Sequence, residues 1–95
     1  MGSNAGKMRA SHILVKTSTE AQAILKRLDN GEDFKKLAAE LSSCPSKKRG
    51  GDLDFFTKGK MAPEFEKAVL AAKVGELINR PVKTQFGYHV IKRTG

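Results

Sequence analysis

The chain is predicted to form an α+β sandwich, in which helices pack against a sheet. Three segments have the spacing of apolar residues that is typical of amphipathic helices, and short apolar stretches near both ends have the composition of strands. The predicted order of elements is β-α-α-β-α-β-β. A length of 95 residues leaves room for one domain with one modest core, so any function must lie on the surface of that core.

The first strand is predicted over residues 9–15 and is expected to lie inside the sheet. Side chains of a strand alternate between two faces, so Ile13 and Val15 point one way while His12 and Leu14 point the other. Both faces are therefore largely apolar. A strand that is covered on both faces is typical of a central position.

The first helix is predicted directly after this strand. Thr17 and Glu20 form a capping-box pattern, and Asn30 with Gly31 provides a stop signal. Between these signals, apolar residues recur at helical spacing: Ala21, Ile24, Leu25 and Leu28. The pattern predicts one helix between the two signals.

A second helix is predicted from the same spacing in the next segment. Its apolar positions are Phe34, Leu37, Ala38 and Leu41. The helix must end before Cys44 and Pro45, because proline disfavours helical geometry in the residue that precedes it. Residues 46–51 then have the composition of a basic loop, and a short strand is expected near residues 53–56.

The last part of the chain is predicted to contain a third helix and two strands. Pro63 marks the start of the helix and Gly75 its end. The apolar stripe of this helix consists of Phe65, Ala68, Val69 and Ala72. Residues 81–84 and 88–93 are then expected to form two strands joined by a tight turn, in which Gly87 is available for a positive φ.

Composition and charge restrict the partners and the cellular compartment. The chain carries 18 Lys and Arg against 10 Asp and Glu, a net charge of +8 that favours anionic partners, although a solvated basic surface without a partner is the alternative. One cysteine permits no internal disulfide, which suits a reducing compartment. No signal peptide and no apolar run of about 20 residues is seen. We therefore expect a cytoplasmic protein with residues 1–6 disordered and one domain over residues 7–95.

Two histidines lie in apolar strands at opposite ends of the chain. A buried imidazole needs a hydrogen-bond partner, so His12, His89 and the nearby Thr84 are expected to bond to one another. Such a group either fixes the register of the strands or forms the floor of a catalytic site. The residues alone leave both interpretations open.

Several sequence blocks indicate a family when they are taken together. They are Ala-Ser-His-Ile-Leu-Val at 10–15, Cys-Pro-Ser at 44–46, Arg-Gly-Gly-Asp-Leu at 49–53, Gly-Lys-Met at 59–61, Pro-Glu-Phe at 63–65 and Thr-Gln-Phe-Gly-Tyr-His-Val-Ile at 84–91. In order and spacing they resemble the parvulin family of peptidyl-prolyl cis/trans isomerases, over residues 8–93. The resemblance implies a four-stranded antiparallel sheet wrapped by helices, with the two histidine-bearing strands in its middle.

The resemblance also implies an active cleft. Its polar residues are expected to be His12, His89, Thr84 and Cys44, with the thiol facing the substrate carbonyl. The walls of its prolyl slot are expected to be Leu53, Met61 and Phe65, with Phe86 extending the rim. Without the resemblance, these apolar residues are core residues and the cysteine a small buried hydrophobe. The implied activity is rotation of Xaa-Pro bonds in flexible or unfolded chains, which assists folding and needs no cofactor; the expected state is a monomer.

Three alternative chemistries are less consistent with the residues. A Cys44-His nucleophile would need an oxyanion hole and an acid for the leaving group, and no motif supplies them. A zinc site would need four ligands, some of them in closely spaced pairs, and this spacing is missing. A phosphate clamp is not expected either. Parvulins that select phosphorylated substrates have clustered Arg and Lys after the first strand and a further peptide-binding module, whereas Lys16 here leads at once into the helix.

Non-catalytic functions remain as further alternatives. The apolar slot can bind unfolded chains without turnover. Basic residues on the polar sides of the first two helices can bind an anionic membrane surface weakly: Lys26, Arg27, Lys35 and Lys36. Nucleic acid is the least favoured partner, because the few aromatic residues are assigned to the core or the slot rather than to a basic surface.

Overall fold

The computed structural model describes residues 6–95, so residues 1–5 of the segment predicted to be disordered lie outside the described residues. The elements are β1 Lys7–Val15, α1 Ser18–Asp29, α2 Phe34–Leu41, β2 Asp52–Thr57, α3 Pro63–Ala71, β3 Val82–Thr84 and β4 Gly87–Arg93, with a short 3-10 helix, Pro45–Arg49, before β2. Apart from the 3-10 helix, this is the predicted order.

The strands form one antiparallel sheet in the order β2-β1-β4-β3. The strands β1 and β4, which carry the two histidines, are therefore the central pair, as predicted. In their register Leu14 lies opposite His89 and His12 lies opposite Ile91. His12 and His89 are consequently diagonal neighbours on the same face of the sheet, where side chains of this length reach each other.

The sheet separates two apolar layers. On one face α1 and α2 pack against β1 and β4, with the buried residues Ile13, Val15, Ala21, Ile24, Leu25, Leu37, Ala38 and Val90. On the other face α3 packs on the sheet, with the buried residues Met8, Ala10, Phe56, Phe65, Ala68, Val69, Ala72, Ile78, Val82 and Ile91. The histidines belong to the α3 face, because His12 alternates with Ile13 along β1.

Local signals account for the ends of the first two helices. Thr17 and Glu20 form the predicted capping box, in which each accepts a hydrogen bond from the backbone of the other. Gly31, just after α1, has φ +92°. Asp33 caps α2 by accepting from the Lys36 N–H at 3.1 Å. The predicted start and end of α1 and the predicted end of α2 before Cys44 are confirmed.

Two local predictions were wrong. The segment that we expected to be a basic loop contains the 3-10 helix, which Pro45 starts and Gly50, with φ +68°, ends. The helix α3 ends at Ala71, before Gly75. The guanidinium of Arg93 in β4 donates to the carbonyls of Val69 and Ala72, at 3.3 and 2.9 Å, and so caps α3 from the sheet. Such a long-range cap has no local sequence signal.

A glycine joins the 3-10 helix to the central strand. The N–H of His12 donates to the carbonyl of Gly51 at 2.9 Å. Gly51 has φ +87°, and a Cβ at this position would clash with the carbonyl oxygen of His12. Glycine is therefore needed here both for the positive φ and for the space beside the His12 carbonyl oxygen. It holds the segment that carries Cys44 against the strand that carries His12.

Within residues 6–95, no helix is both long and apolar enough to cross a membrane.

Candidate active site

A cleft of about 320 Å³ opens on the α3 face of the sheet. It lies between the start of α3, the start of the 3-10 helix and the turn that joins β3 to β4. Its apolar walls include Leu53, Met61, Phe65 and Phe86. The polar side chains His12, His89 and Cys44 line the same space. The arrangement is an apolar slot with a small polar floor.

The floor is a chain of hydrogen bonds between buried side chains. The Nδ1 atoms of His12 and His89 are 2.8 Å apart, and the Oγ1 atom of Thr84 is 2.7 Å from Nε2 of His89. All three side chains are at least nine-tenths buried. The two imidazoles are stacked, with centroids 5.0 Å apart and planes inclined by 23°. Each ring nitrogen of His89 thus has a partner.

The chain ends at an atom that has no partner. The Phe86 N–H donates to Oγ1 of Thr84 at 3.2 Å, so this hydroxyl is free to donate to His89. The His89 Nδ1–H then donates to His12, and His12 carries its proton on Nε2. If His12 donates to His89 and His89 donates to Thr84 instead, Nε2 of His12 carries no proton and is an acceptor. In both cases this nitrogen is buried and has no hydrogen-bond partner within residues 6–95.

We expect His12→Ala or His89→Ala to lower the free energy of unfolding by about 1 to 3 kcal/mol, because each leaves a buried polar partner unsatisfied. Isomerase activity should fall as well. Chemical denaturation of both variants measures the effect, with the exposed Gln85→Ala in the β3–β4 turn as a matched control. If stability and activity stayed at wild-type levels in both variants, the two imidazoles would not form a buried pair in solution.

Both imidazoles are neutral at neutral pH. Burial, and secondarily the charge of His89, lowers the pKa of His12 from its ordinary value of 6.5 to about 4. Burial lowers the pKa of His89 to about 4 as well. A neutral imidazole donates or accepts a hydrogen bond without bringing a charge into the cleft. The site therefore presents fixed dipoles rather than an imidazolium acid.

Phe65 is both a core residue and a wall of the cleft. Its ring is nearly perpendicular to His12 and to His89, at centroid distances of 5.6 and 5.4 Å. It also packs against Phe56 in the core, with the two ring centroids 6.1 Å apart. Edge-to-face packing of this kind fixes the orientation of rings. Phe65 therefore belongs to the core and also lines the cleft.

Cys44 is held over the sheet by a serine that the sequence analysis did not single out. The buried hydroxyl of Ser42 accepts from the Cys44 N–H at 3.2 Å and from the Leu14 N–H at 3.0 Å. The Ser43 N–H donates to the carbonyl of Leu14 at 2.8 Å. These bonds dock the segment after α2 on β1. They place the half-buried thiol at the edge of the cleft.

The structure brings together most of the residues that were expected to form the site. The residues that line the cleft are His12, His89, Cys44, Leu53, Met61, Phe65 and Phe86. Thr84 is not among them, because it lies behind His89 and is only 6% exposed. Thr84 is connected to the cleft through its hydrogen bond to His89. Phe86 lines the cleft and is 66% exposed.

Four further residues of the cleft were missed. They are Leu14, Ser43, Pro45 and Ala62. Only Leu14 had a usable signal, because it shares a face of β1 with His12. Five basic residues of the neighbouring segments are not among the residues that line the cleft: Lys47, Lys48, Arg49, Lys58 and Lys60. Across the described residues, no group of three or more His, Cys, Asp or Glu side chains is arranged to hold a metal ion.

Comparison with known proteins identifies the family. The sequence profile of the PPIC-type PPIASE domain, described as a rotamase, matches residues 10–95. The chain belongs to the parvulin family of peptidyl-prolyl cis/trans isomerases. The matched region contains every residue of the cleft. The parvulin resemblance and the predicted fold class are thereby confirmed.

Parvulins and foldases are among the relatives of this chain. The foldase protein PrsA of Geobacillus kaustophilus is 55% identical over 89 residues, which cover 93% of this chain and 31% of that protein. The chain thus spans about a third of the length of such curated relatives. The crystal structure of PrsA from Bacillus anthracis, whose sequence is 47% identical, matches this structure with a TM-score of 0.91. The match covers 94% of this chain and 41% of that one.

A solved archaeal parvulin matches over its whole length. Pin from the psychrophilic archeon Cenarcheaum symbiosum is 54% identical, with a TM-score of 0.83. The match covers 100% of this chain and 98% of that one. The same domain is therefore known both as a part of longer foldases and as a chain of this size.

Proposed function

We propose that the cleft catalyses cis/trans rotation of Xaa-Pro bonds in flexible or unfolded chains and so assists protein folding. The observation that carries the proposal is the apolar slot of Leu53, Met61 and Phe65 directly beside the hydrogen-bonded histidines. A prolyl ring fits an apolar slot, while the carbonyl before it needs a polar neighbour. Membership in the parvulin family and the similarity to solved peptidyl-prolyl isomerases support the same activity.

The reaction needs no bond to break. Rotation about the amide faces a barrier of about 18 to 20 kcal/mol, because twisting forfeits resonance. The twisted amide has lost charge separation, so an apolar slot destabilises the planar ground state more than the transition state. Met61 and Phe65 hold the ring while the preceding residue turns. The polar atoms of Cys44 and His12 act on the carbonyl as fixed dipoles.

Covalent attack by the Cys44 thiol is the competing mechanism. It requires a base that removes the thiol proton. The pKa values of both histidines are lowered to about 4 by burial, which makes them weak bases at neutral pH. This supports the non-covalent mechanism. Some parvulins have aspartate in place of this cysteine, which also supports the non-covalent mechanism.

The test of the activity is two-dimensional NMR exchange on a peptide with an Ala-Xaa-Pro sequence. Without a catalyst the two isomers exchange over tens to hundreds of seconds. With catalytic amounts of the protein, we expect exchange cross-peaks between the cis and trans signals. If the peptide signals shifted on binding while no exchange appeared, the domain would be a binding module rather than an isomerase.

We also propose a reducing compartment, the cytoplasm, and a monomeric state. The support for the compartment is the single cysteine, which lies half-buried in the cleft. The support for the monomer is that the exposed large apolar side chains lie in different parts of the chain, namely α2, β2, α3, the segment after α3 and the β3–β4 turn. They are Leu41, Phe55, Leu70, Val74 and Phe86. The proposed clients are proline-containing peptides and unfolded proteins.

The predicted anionic-surface patch is smaller than its four residues suggest. Arg27 donates two hydrogen bonds to Glu32, at 2.9 and 2.8 Å, so most of its charge is compensated. The stem of Lys35 lies against Gly50. Lys26 and Lys36 are exposed on the outer sides of α1 and α2. We keep weak membrane association as a second proposal, supported by these two residues and the net charge of +8.

We expect salt-sensitive binding to anionic vesicles, with chemical-shift changes at Lys26 and Lys36 and no loss of catalysis. Each lysine near the surface contributes about 1 kcal/mol. Exposed charges are screened within roughly 8 to 10 Å near physiological ionic strength, so binding should weaken as salt is added. Neutral vesicles are the control. Equal co-sedimentation with anionic and neutral vesicles at low salt would remove this proposal.

A further inference from the structure

A second concave site lies on the face of the sheet opposite the cleft. It is a hollow of about 210 Å³ between the start of α2, the end of the 3-10 helix and the strands β1 and β2. Its lining residues are Arg9, Ser11, Lys35, Arg49, Asp52 and Thr94. Ser11 alternates with His12 along β1, so the hollow and the catalytic cleft are on different sides of this strand.

The charges in the hollow are unbalanced. Arg9 donates to both oxygens of Asp52, at 3.1 and 2.6 Å, and these bonds hold the pKa of that carboxyl below its ordinary value. The charge of Arg49 lowers this pKa further, at longer range. Among the ion pairs of residues 6–95, none involves Lys35 or Arg49. The hollow therefore has two cations whose charge no carboxylate neutralises in direct contact.

The position of Lys35 is not explained by helix stability. It lies in the first turn of α2, which contains no acidic residue. A cation at this end of a helix is disfavoured by the helix dipole. Its stem packs on Gly50 so closely that a Cβ there would lie 2.7 Å from Cγ and 2.9 Å from Cβ of Lys35. The stem thus lies against the end of the 3-10 helix, and Lys35, an exposed residue, lines the hollow.

We propose that this hollow binds a phosphate group. The guanidinium of Arg49 offers a fork of donors for a tetrahedral oxyanion, and Lys35 adds a second positive charge. Ser11 and Thr94 line the hollow as well, and a hydroxyl group is a neutral donor. Because the site is separated from the cleft by β1, it does not select substrates by a phosphate next to the proline. The ligand is inorganic phosphate or a phosphoserine side chain.

The first test is a titration with inorganic phosphate at pH 7.5, followed by amide chemical shifts, with chloride at equal ionic strength as the reference. We expect saturable shifts at Ser11, Gly50 and Thr94. Lys35→Gln and Arg49→Gln should each weaken binding by about tenfold, the usual effect of losing one charged hydrogen bond. Lys36→Gln, one residue further along α2 and outside the hollow, is the matched control and should bind like wild type.

Two results would overturn the proposal. In one, Lys36→Gln weakens binding as much as Lys35→Gln, which would indicate attraction to net charge only. In the other, chloride produces the same shifts as phosphate. A proline-free tripeptide with phosphoserine distinguishes the two sources of the ligand, because tighter binding than inorganic phosphate assigns the site to a modified chain. Thermal unfolding of each variant shows that a lost signal is not a lost fold.

Discussion

Met61→Ala should lower kcat/KM for a prolyl peptide by about 10- to 100-fold, the range expected when a wall of an apolar pocket is truncated. Cys44→Asp, in contrast, should keep substantial activity, because in the proposed mechanism the slot and its fixed dipoles act without a covalent bond. Met61 is half-buried at the cleft, so its truncation leaves the central core in place. NMR exchange on the peptide used for wild type measures both variants.

Phe65→Ala should also lose most of its activity, but it needs a separate control. The ring is 2% exposed and belongs to the core under α3, so its removal costs about 3 to 5 kcal/mol of stability. Activity must therefore be compared at a temperature where the variant is folded. Val74→Ala, at a surface residue that is 64% exposed, is the neutral reference. A folded Cys44→Asp protein as inactive as Met61→Ala would return the covalent mechanism to first place.

The stability of the domain should fall steeply as the pH is lowered from about 6.5 to about 4. In the unfolded chain a histidine has its ordinary pKa of about 6.5. In the folded protein burial lowers the pKa of both His12 and His89 to about 4. Between these values the unfolded state binds more protons, so the free energy of unfolding rises with pH. The contribution of the two histidines to stability is fully present above about pH 6.5.

The size of this effect follows from the shift. One pKa unit corresponds to about 1.4 kcal/mol, so His12 alone accounts for a loss on the order of 3 kcal/mol. The two histidines are the only ones in the chain, and the pKa of Asp52 lies below its ordinary value of 3.8, outside this window. The hydrogen bonds from Arg27 lower the pKa of Glu32 from 4.5, so this exposed group contributes only at the acid end of the window. Denaturation at several pH values should show the slope. A double variant, His12→Gln with His89→Gln, should flatten it, and an equally steep slope in that variant would assign the effect to other groups.

Local elements were predictable because their signals are short-range. The capping box of Thr17 with Glu20 and the apolar spacing in α1 and α2 depend on contacts within four residues. Alternation along β1 predicted a strand covered on both faces, and its central position in the sheet agrees. The 3-10 helix was missed because its five residues carry no apolar period. The end of α3 was missed because Arg93, from a distant strand, caps it.

The sequence by itself determined the helices, the strands, the fold class and, through its blocks, the family. Which side chains meet was decided only by the tertiary structure. The register of β1 and β4 brings the Nδ1 atoms of two histidines, 77 positions apart, to 2.8 Å. The pairing of β3 with β4 places Thr84 behind His89 rather than in the cleft. The hollow around Lys35 and Arg49 likewise exists only after α2, the 3-10 helix and β1 have packed. The physical reason is that such contacts depend on the relative placement of separate elements, which long-range packing decides.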